Sequence, residues 1–255
     1  LPHTHLARLW SLDKVRTKEA LADWAERVRR LSGEEKPLFA LEYKFDGLTV
    51  NLTYENGRMT QGATRGNGVV GESILPQLAT IATLPKRIPF SGRMEVQGEC
   101  IMRLSVLEEY NQTSAEPLKN ARNAAAGALR NIDPAVTAAR KLDCFCYNVG
   151  FIEGSTLRDQ REMLAFLKEN GFPTSEYTFF SDSVDELYRQ IERAESTRGA
   201  LDCQIDGMVV KVVDFSLRET LGHTDKFPRW AMAFKFAAEE TTSTVLDVTW
   251  EVGRT

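Results

Sequence analysis

The sequence predicts an α+β fold in which antiparallel sheets are flanked by helices. A β-hairpin is marked by apolar residues at every second position from Leu48 to Tyr54, followed by an Asn56-Gly57 turn and a second strand at 59–64. Further short strands alternate irregularly with amphipathic helices along the rest of the chain. This irregular order is typical of α+β domains, whereas a doubly wound parallel sheet alternates strands and helices regularly.

Each predicted element has its own local signal. Thr17 can cap the first helix and Gly33 is placed to end it, while Ser183 and Glu186 form a capping box before a later helix. Gly171 closes the helix that precedes that one. The remaining periodic runs predict helices at 104–111, 120–129, 157–170 and 184–195, and strands at 93–102, 142–149, 206–213, 231–236 and 244–252.

Composition indicates a globular protein without a basic surface. The chain has 255 residues, of which 42% are hydrophobic, and its formal net charge is −4. Any contact with nucleic acid must therefore come from local arginine clusters. No apolar stretch approaches the roughly 18 residues that a membrane span needs, and the first residues are unlike a signal peptide. We expect a soluble, cytoplasmic monomer without membrane contact.

Cysteine and histidine are poor candidates for the chemistry. The four cysteines follow no metal-binding or redox spacing, so we expect reduced, packed thiols. The three histidines are too few to favour acid–base or metal chemistry, and no protein-bound metal site is predicted. The chemistry must rest on lysine, arginine and carboxylates. The residues concerned are Cys100, Cys144, Cys146, Cys203, His3, His5 and His223.

A lysine lies between two carboxylates in a strand-like segment. Glu42, Lys44 and Asp46 alternate with Tyr43 and Phe45, so the three charged side chains are predicted to project from one face. Taken alone, this pattern is typical of a surface salt-bridge ladder. The alternative interpretation is that Lys44 is a nucleophile.

Other segments place charged residues inside apolar runs. Lys211 ends an apolar run that begins at Asp206, and Lys235 lies among aromatic residues. Glu99 follows a glycine in another predicted strand. A buried ammonium group needs an anion, and a bound phosphate would provide one. Together with Lys44, these residues favour an anion-binding site.

The ordered motifs resemble one family closely. The segment 44–47, Lys-Phe-Asp-Gly, is similar to the Lys-x-Asp-Gly nucleophile motif of covalent nucleotidyltransferases, which include polynucleotide ligases and mRNA capping enzymes. The detailed match is to the adenylation domain of bacterial NAD-dependent DNA ligases, from about Leu9 to the end. The matching segments are 11–13, 63–68, 120–130, 206–211, 228–231 and 252–255. The resemblance implies the covalent nucleotidyltransferase fold, which is ATP-grasp-like.

The resemblance also implies a three-step reaction that uses NAD and Mg²⁺. Lys44 would attack the adenylyl phosphorus of NAD, AMP would pass to the 5′-phosphate of a DNA nick, and the 3′-hydroxyl would displace it. Lys211 and Lys235 would lie against the α-phosphate and lower the pKa of Lys44 by charge repulsion. Asp46 would orient the amine. Asp206 would be a further carboxylate beside it, or only a turn residue.

Binding residues are implied in the same way. Those for the nucleotide are Ser11, Leu12, Glu42 at the adenine edge, Arg65 and Glu99 at the ribose, Tyr147 stacked on the adenine, and Lys211 and Lys235. Those for DNA phosphates are Arg122, Arg130 and Arg140, with Arg198 near the reacting groups. The planar fork of arginine suits phosphate, although each of these arginines taken singly is better explained as a solvated surface charge.

The resemblance has limits at both ends of the chain. Residues 1–245 are predicted to form the nucleotidyltransferase domain, and residues 246–255 to begin the connection to an OB-fold domain that is absent here. Nothing in the chain resembles the family's module for the nicotinamide mononucleotide half of NAD. We therefore expect poor use of NAD and weak binding of nicked double-stranded DNA by this chain alone. Asn67, Gln97, Ala121 and Ala237 depart from the family pattern, which indicates a divergent member.

Two alternatives to an NAD-dependent enzyme stay open from the sequence. One is a non-catalytic module that binds adenylate or DNA ends and has kept the fold. The other is a ligase core that uses ATP, because the features that select the leaving group lie mainly outside the chain. The intact set of Lys44, Asp46, Glu99, Lys211 and Lys235 favours an enzyme.

Overall fold

Two β-sheets form the framework of the protein in the computed structural model, which describes residues 1–238 and 242–250. The strands in chain order are β1 (Pro2–Thr4), β2 (Lys14–Val15), β3 (Phe39–Phe45), β4 (Leu48–Glu55), β5 (Arg58–Thr64), β6 (Val70–Glu72), β7 (Met94–Ile101), β8 (Asp143–Ile152), β9 (Thr178–Ser181), β10 (Ile205–Val212) and β11 (Ala231–Lys235). One sheet has the order β5-β4-β7-β8 and is antiparallel throughout. The other has the order β2-β11-β10-β3-β9, in which β2 and β11 are parallel and the other pairs antiparallel.

Helices cover the outer faces of both sheets. They are α1 (Lys18–Ser32), α2 (Leu75–Leu78), α3 (Leu104–Thr113), α4 (Ala121–Arg130), α5 (Pro134–Ala139), α6 (Gln160–Glu169), α7 (Val184–Thr197) and α8 (Phe215–Leu221). The side chain of Thr17 caps α1 and Gly33 ends it with φ 72°, as predicted. Helix α6 begins three residues later than predicted because Asp159 caps it by accepting from the Glu162 N–H. The α+β class is confirmed.

Strand periodicity decides which residues face the helices. On β10, Met208 and Val210 pack in the hydrophobic core beneath α1 and α7, whereas Val209 and Lys211 line a cavity on the opposite face. The four-stranded sheet does the same with a second core, since Val96 packs under helices while the alternating face of β7 lines the same cavity. The two sheets, each with one face packed in a core, therefore enclose a cavity between them that charged and apolar side chains line together.

The N-terminal segment joins the two sheets. Its strand β1 pairs with β6, and the Leu9 N–H donates to the carbonyl of Gly68 at 2.9 Å. Further along, the carbonyl of Asp13 accepts from the Ala233 N–H on β11, also at 2.9 Å. The segment thus crosses from one sheet to the other along the edge of the cavity.

The prediction of a strand at 244–252 is wrong for residues 244–250. Within 242–250 the described chain forms no strand, and the side chains of Leu246 and Trp250 are 94% and 91% exposed. Alternating apolar residues form a stable strand only where a neighbouring strand and a core accept them. Residues 251 and 252 lie outside the described residues. The boundary proposed at residue 245 stays a prediction.

Membrane insertion through a helix finds no support in the described part of the chain. None of the helices found there combines the length and the apolar character that a bilayer crossing requires.

Two glycines allow strands and turns to approach closely beside the cavity. A Cβ atom on Gly47 would overlap the carbonyl oxygen of Cys100 on β7, and one on Gly207 would overlap the carbonyl oxygen of Phe234 on β11. Both glycines follow an aspartate in the sequence. The Asp-Gly pairs therefore have a steric cause, because the space for a side chain is already filled by backbone.

We predict that Gly47→Ala destabilises the protein by at least about 1–3 kcal/mol, the range for overpacking a well-packed site. Backbone atoms cannot move aside as a flexible side chain would. Gly199→Ala is the matched control, because a Cβ there meets no atom within 4 Å, and we expect a change within about 0.5 kcal/mol. Urea unfolding followed by circular dichroism measures both values. Equal stability of the two variants would contradict the steric explanation.

Candidate active site

The cavity between the two sheets has a volume of about 550 Å³ and gathers most of the sequence-predicted site residues. Those that line it are Ser11, Leu12, Glu42, Lys44, Arg65, Glu99, Arg122, Tyr147, Lys211 and Lys235. Two further predicted residues contact this lining: Asp46 pairs with Arg122, and Asp206 pairs with both Lys44 and Lys235. Three predicted arginines, Arg130, Arg140 and Arg198, are not among its lining residues.

One carboxylate joins two lysines at one end of the cavity. Lys44 Nζ lies 3.2 and 3.3 Å from the two carboxylate oxygens of Asp206, and Lys235 Nζ donates to Asp206 Oδ2 at 2.6 Å. The register explains this meeting, since Gly207 on β10 pairs with Lys44 on β3 and with Lys235 on β11. The register shifts between Ile205 and Gly207, so Asp206 is the extra residue of a bulge, a feature that re-aims a side chain.

The charges of this cluster shift one another's pKa values. Burial lowers the pKa of Lys44, Lys235 lowers it further by charge repulsion, and Asp206 opposes both. Burial acts to raise the pKa of Asp206, but the hydrogen bond from Lys235 and the charge of Lys44 outweigh it, so its pKa is lowered. Burial and Asp206 raise the pKa of Asp46 against the opposing charge of Arg122. Asp206 is therefore an anion at neutral pH, and the amine of Lys44 loses its proton more easily than a free lysine.

A second charged pair occupies another part of the wall. Lys211 Nζ lies 2.6 Å from Glu42 Oε1, and the two side chains are 10% and 9% exposed. The Lys211 ammonium also lies 5.1 Å from the ring centroid of Tyr147, within the range of a cation–π contact. Burial raises the pKa of Tyr147, so the phenol is neutral and can offer its ring and hydroxyl to a ligand.

Of the two lysines expected to act on Lys44, the structure brings Lys235 to it. Along β10, Lys211 is four residues from Gly207, the register partner of Lys44. Four residues of strand span about 13 Å. The Lys211 ammonium pairs with Glu42, whereas Lys235 shares a carboxylate with Lys44.

Glu99 lies on β7 and Arg65 follows β5, and both face the cavity from the side of the four-stranded sheet. Glu99 accepts from the Thr49 hydroxyl at 2.8 Å and from the Gly47 N–H at 3.3 Å. Burial raises its pKa to about 7, although the Thr49 hydrogen bond, the charge of Lys44 and the Gly47 N–H all act to lower it. Arg65 Nη1 donates to Ser11 Oγ at 2.7 Å, which links the N-terminal segment to this wall.

Comparison with known proteins identifies the domain that carries this cavity. Residues 2–239 match the family model of the NAD-dependent DNA ligase adenylation domain. The chain belongs to this family. The family resemblance seen in the sequence is thereby confirmed.

Several curated relatives are named DNA ligase and are longer than this chain. The DNA ligase of Alkaliphilus oremlandii (strain OhILAs) is 58% identical over 255 residues, which cover 99% of this chain and 39% of the relative. That of Clostridium botulinum (strain Okra / Type B1) is 48% identical over 262 residues, covering 99% and 40%. The chain thus spans about two fifths of their length. A solved archaeal ATP-dependent RNA ligase aligns with a TM-score of 0.48 at 11% identity. The alignment covers 91% of this chain and 48% of that one.

The arginines predicted to face DNA differ in their surroundings in the adenylation domain. Arg122 is 61% exposed and its Nε lies 3.5 Å from Asp46, while Arg130 is exposed at the end of α4. Arg140 donates to the carbonyl of Ala124 at 2.7 Å, so it ties α4 to the residue that follows α5. Arg198 donates to the carbonyl of Ala237 at 3.3 Å. Arg122 and Arg130 are thus exposed, whereas Arg140 and Arg198 are partly buried.

Two residues beside the site, Gln160 and Thr49, belong to none of the motifs found in the sequence. Gln160 shares the buried face of α6 with Met163 and Leu167, at helical spacing, and contacts Glu42. A polar residue on an otherwise apolar helix face was the available sign. Thr49 alternates with apolar residues in the hairpin and could not be distinguished there from an exposed threonine.

A group of two histidines and a glutamate lies beneath the N-terminal strand. His3, His5 and Glu95 present ligand atoms within 4.8 Å of one another. The Glu95 carboxylate, however, already accepts from the Leu6 N–H at 2.7 Å, from Thr53 at 2.7 Å and from Asn51 at 3.0 Å, and contacts His3 at 3.3 Å. We therefore interpret this group as the anchor of the N-terminal segment.

We predict that the affinity for AMP falls as the pH drops through about 7, the raised pKa of Glu99. Below that pH the carboxyl is protonated and becomes a weaker acceptor for the ribose hydroxyls that it is predicted to bind. Thr49→Val removes a hydrogen bond that favours the carboxylate, so the midpoint should move to higher pH. Isothermal titration calorimetry with AMP from pH 5.5 to 8.5 measures the difference between the two proteins, in which titration of the ligand phosphate cancels.

The exposed Thr60 on β5 offers a control, because it bonds the carbonyl of Thr53 away from the cavity. Thr60→Val should leave the midpoint unchanged. The explanation fails if Thr49→Val and Thr60→Val have the same pH profile as the unmodified protein.

Proposed function

We propose that the chain transfers an adenylyl group from NAD to Lys44, as the first half-reaction of an NAD-dependent DNA ligase. The observation that carries this proposal is the placement of Lys44 in a cavity where Asp206 holds both its ammonium and that of Lys235. A solvent-exposed salt-bridge ladder, the simpler interpretation of the sequence pattern, would not enclose these groups between two sheets.

The chemistry follows from the charges around the amine. Lys44 Nζ forms a bond to the adenylyl phosphorus while the bond from that phosphorus to the leaving nicotinamide mononucleotide breaks. Only the unprotonated amine attacks, and burial together with Lys235 favours that form. Asp206 orients the amine by hydrogen bonds, and the Lys235 ammonium stabilises the negative charge that develops on the phosphate oxygens.

The base and ribose are assigned to the rest of the wall. Glu42 and Lys211 present an acceptor beside a donor, which matches the amino group and ring nitrogen at the edge of adenine. This assignment moves Lys211 from the phosphate to the base, because it is held by Glu42 and by the ring of Tyr147. Glu99 and Arg65 remain the proposed ribose contacts.

The described residues offer no preformed site for the magnesium ion that the family implies. Mg²⁺ keeps several waters and takes one or two carboxylates together with substrate phosphates. Near Lys44, the Asp206 carboxylate already binds two ammonium groups, and Glu99 binds Thr49 and the Gly47 N–H. No step of the proposed reaction is assigned to a metal bound by these residues.

We propose that the AMP bound to Lys44 is used to seal a nick in a DNA strand. The chain matches about two fifths of the length of its DNA ligase relatives, and contacts to a nick are proposed here for the exposed Arg122 and Arg130. Contacts from arginine to backbone phosphates are independent of base sequence, which suits a sealer of nicks.

The proposal predicts an AMP adduct on Lys44 after incubation with NAD and magnesium. Intact-mass spectrometry and peptide mapping detect it. Lys44→Ala should abolish the adduct, whereas Lys86→Ala, which removes an exposed lysine of a loop before β7, should retain it. Circular dichroism checks that both variants are folded.

Two other results would decide against parts of this proposal. An adduct formed with ATP and not with NAD would overturn the choice of donor. The catalytic interpretation would be contradicted if neither donor gave an adduct and the protein also failed to seal a nick that had been adenylylated beforehand. A non-catalytic adenylate-binding module would then be the better description.

A further inference from the structure

A continuous series of contacts leads from the cavity wall into the protein interior. Lys211 Nζ lies 2.6 Å from Glu42 Oε1, and Gln160 Nε2 donates to the other oxygen of Glu42, Oε2, at 2.8 Å. The amide oxygen of Gln160 in turn accepts from Arg218 Nη2 at 2.8 Å. Gln160 and Arg218 thus lie behind the pair that is proposed to meet the adenine edge.

Backbone contacts hold both interior residues against the strand that carries Lys211. Arg218 Nε donates to the carbonyl of Val212, the residue after Lys211, at 2.7 Å. The N–H of Gln160 donates to the carbonyl of Val213 at 3.0 Å. Both residues are therefore tied to the end of β10, Arg218 through its side chain and Gln160 through its backbone N–H.

The amide of Gln160 is oriented by its two neighbours. A carboxylate offers only acceptors and a guanidinium only donors, so the amide nitrogen must face Glu42 and the amide oxygen must face Arg218. Gln160 is 0% exposed, and water therefore does not substitute for either partner. A glutamate here would oppose the charge of Glu42, and a methionine would leave polar groups on both sides without a partner.

Arg218 supplies a fixed charge at the inner end of the series. Burial lowers its pKa to about 10, with the carboxylates Glu42 and Asp214 acting to raise it, so the guanidinium is charged at neutral pH. It lies 4.2 Å from the ring centroid of Trp230 and 4.6 Å from that of Phe215, which confines its plane. Glu42 is thus held between the Lys211 cation and an amide that a second cation orients.

We propose that Gln160 and Arg218 are positioning residues that fix the Glu42–Lys211 pair at the cavity wall and thereby set the preference for adenine over hypoxanthine. This inference rests on the proposed function, in which that pair meets the base. Hypoxanthine reverses the pattern of adenine, since it carries a carbonyl acceptor where adenine has an amino donor and a ring N–H where adenine has an acceptor. A fixed acceptor–donor pair distinguishes the two bases, whereas a mobile pair adapts to both.

The test compares binding of AMP and IMP to the full chain by isothermal titration calorimetry. The unmodified protein should bind AMP more tightly. Gln160→Met should weaken AMP binding by about tenfold, the effect of leaving one buried polar partner unpaired, and weaken IMP binding less, so that the ratio of the two affinities falls. A general loss of stability would reduce both affinities together and leave their ratio unchanged.

Gln77→Met is the matched control. Gln77 is also a buried glutamine, 8% exposed, and its amide donates to the carbonyl of Asn131 at 2.9 Å, away from the cavity. This variant should keep the AMP-to-IMP ratio of the unmodified protein. If Gln160→Met does not fold, Arg218→Lys takes its place, because a lysine keeps the charge but lacks the fork that reaches both Val212 and Gln160; the same fall in the ratio is expected.

The possible failures are distinguishable. A folded Gln160→Met or Arg218→Lys variant with an unchanged AMP-to-IMP ratio would overturn the positioning role and leave the proposed function intact. An unmodified protein that binds neither nucleotide would overturn the proposed function itself, and the positioning role with it.

Discussion

The hydrogen bonds that join Asp206 to both Lys44 and Lys235 are the interaction on which the rest of the site depends. Two ammonium groups brought together inside a cavity repel each other and resist burial, and a carboxylate between them compensates both costs. The side chains of Lys44 and Lys235 line the cavity, where an entering phosphate can meet them. The nucleophile is thus held in place by the same contacts that make its surroundings attractive to its substrate.

The sheets make this arrangement possible through their two-residue period. Apolar residues of β3, β10 and β11 face the helices and build the core, so the intervening positions are left to line the cavity. Glycine after aspartate lets the backbone approach closely at the two places where the chain turns or bulges beside the lysines, Gly47 and Gly207. Packing on one face and chemistry on the other are consequences of one strand pattern, and a shift of register by one residue would exchange them.

Much of this fold could be predicted from the sequence, because hairpins, caps and amphipathic helices leave local signals. The caps at Thr17 and Ser183 and the strands that carry Lys44, Lys211 and Lys235 are found where expected. Short strands such as β2 and β9 were not predicted, since two to four residues show no periodicity and depend on a neighbouring strand. The pattern at 244–252 misled for the opposite reason: it has the period of a strand, but the described residues of that segment find no core.

The site was less accessible from the sequence than the fold. Convergence of Lys44, Asp206 and Lys235 depends on a strand register and a bulge, which lie beyond any local pattern. The charged residues in apolar runs indicated an anion site, and the family resemblance added Asp206 beside the amine. The separation of Lys211 from Lys44 and its support by Gln160 are tertiary facts of the same kind. Titration of Lys44 by NMR, with side-chain-labelled lysine and assignment by Lys44→Arg, measures how this cluster acts on the amine. We expect a pKa of Lys44 below the ordinary 10.5, lower still in Asp206→Asn and higher in Lys235→Met. A Lys44 pKa at or above 10.5 that neither change moves would show that Asp206 and Lys235 do not act on the amine.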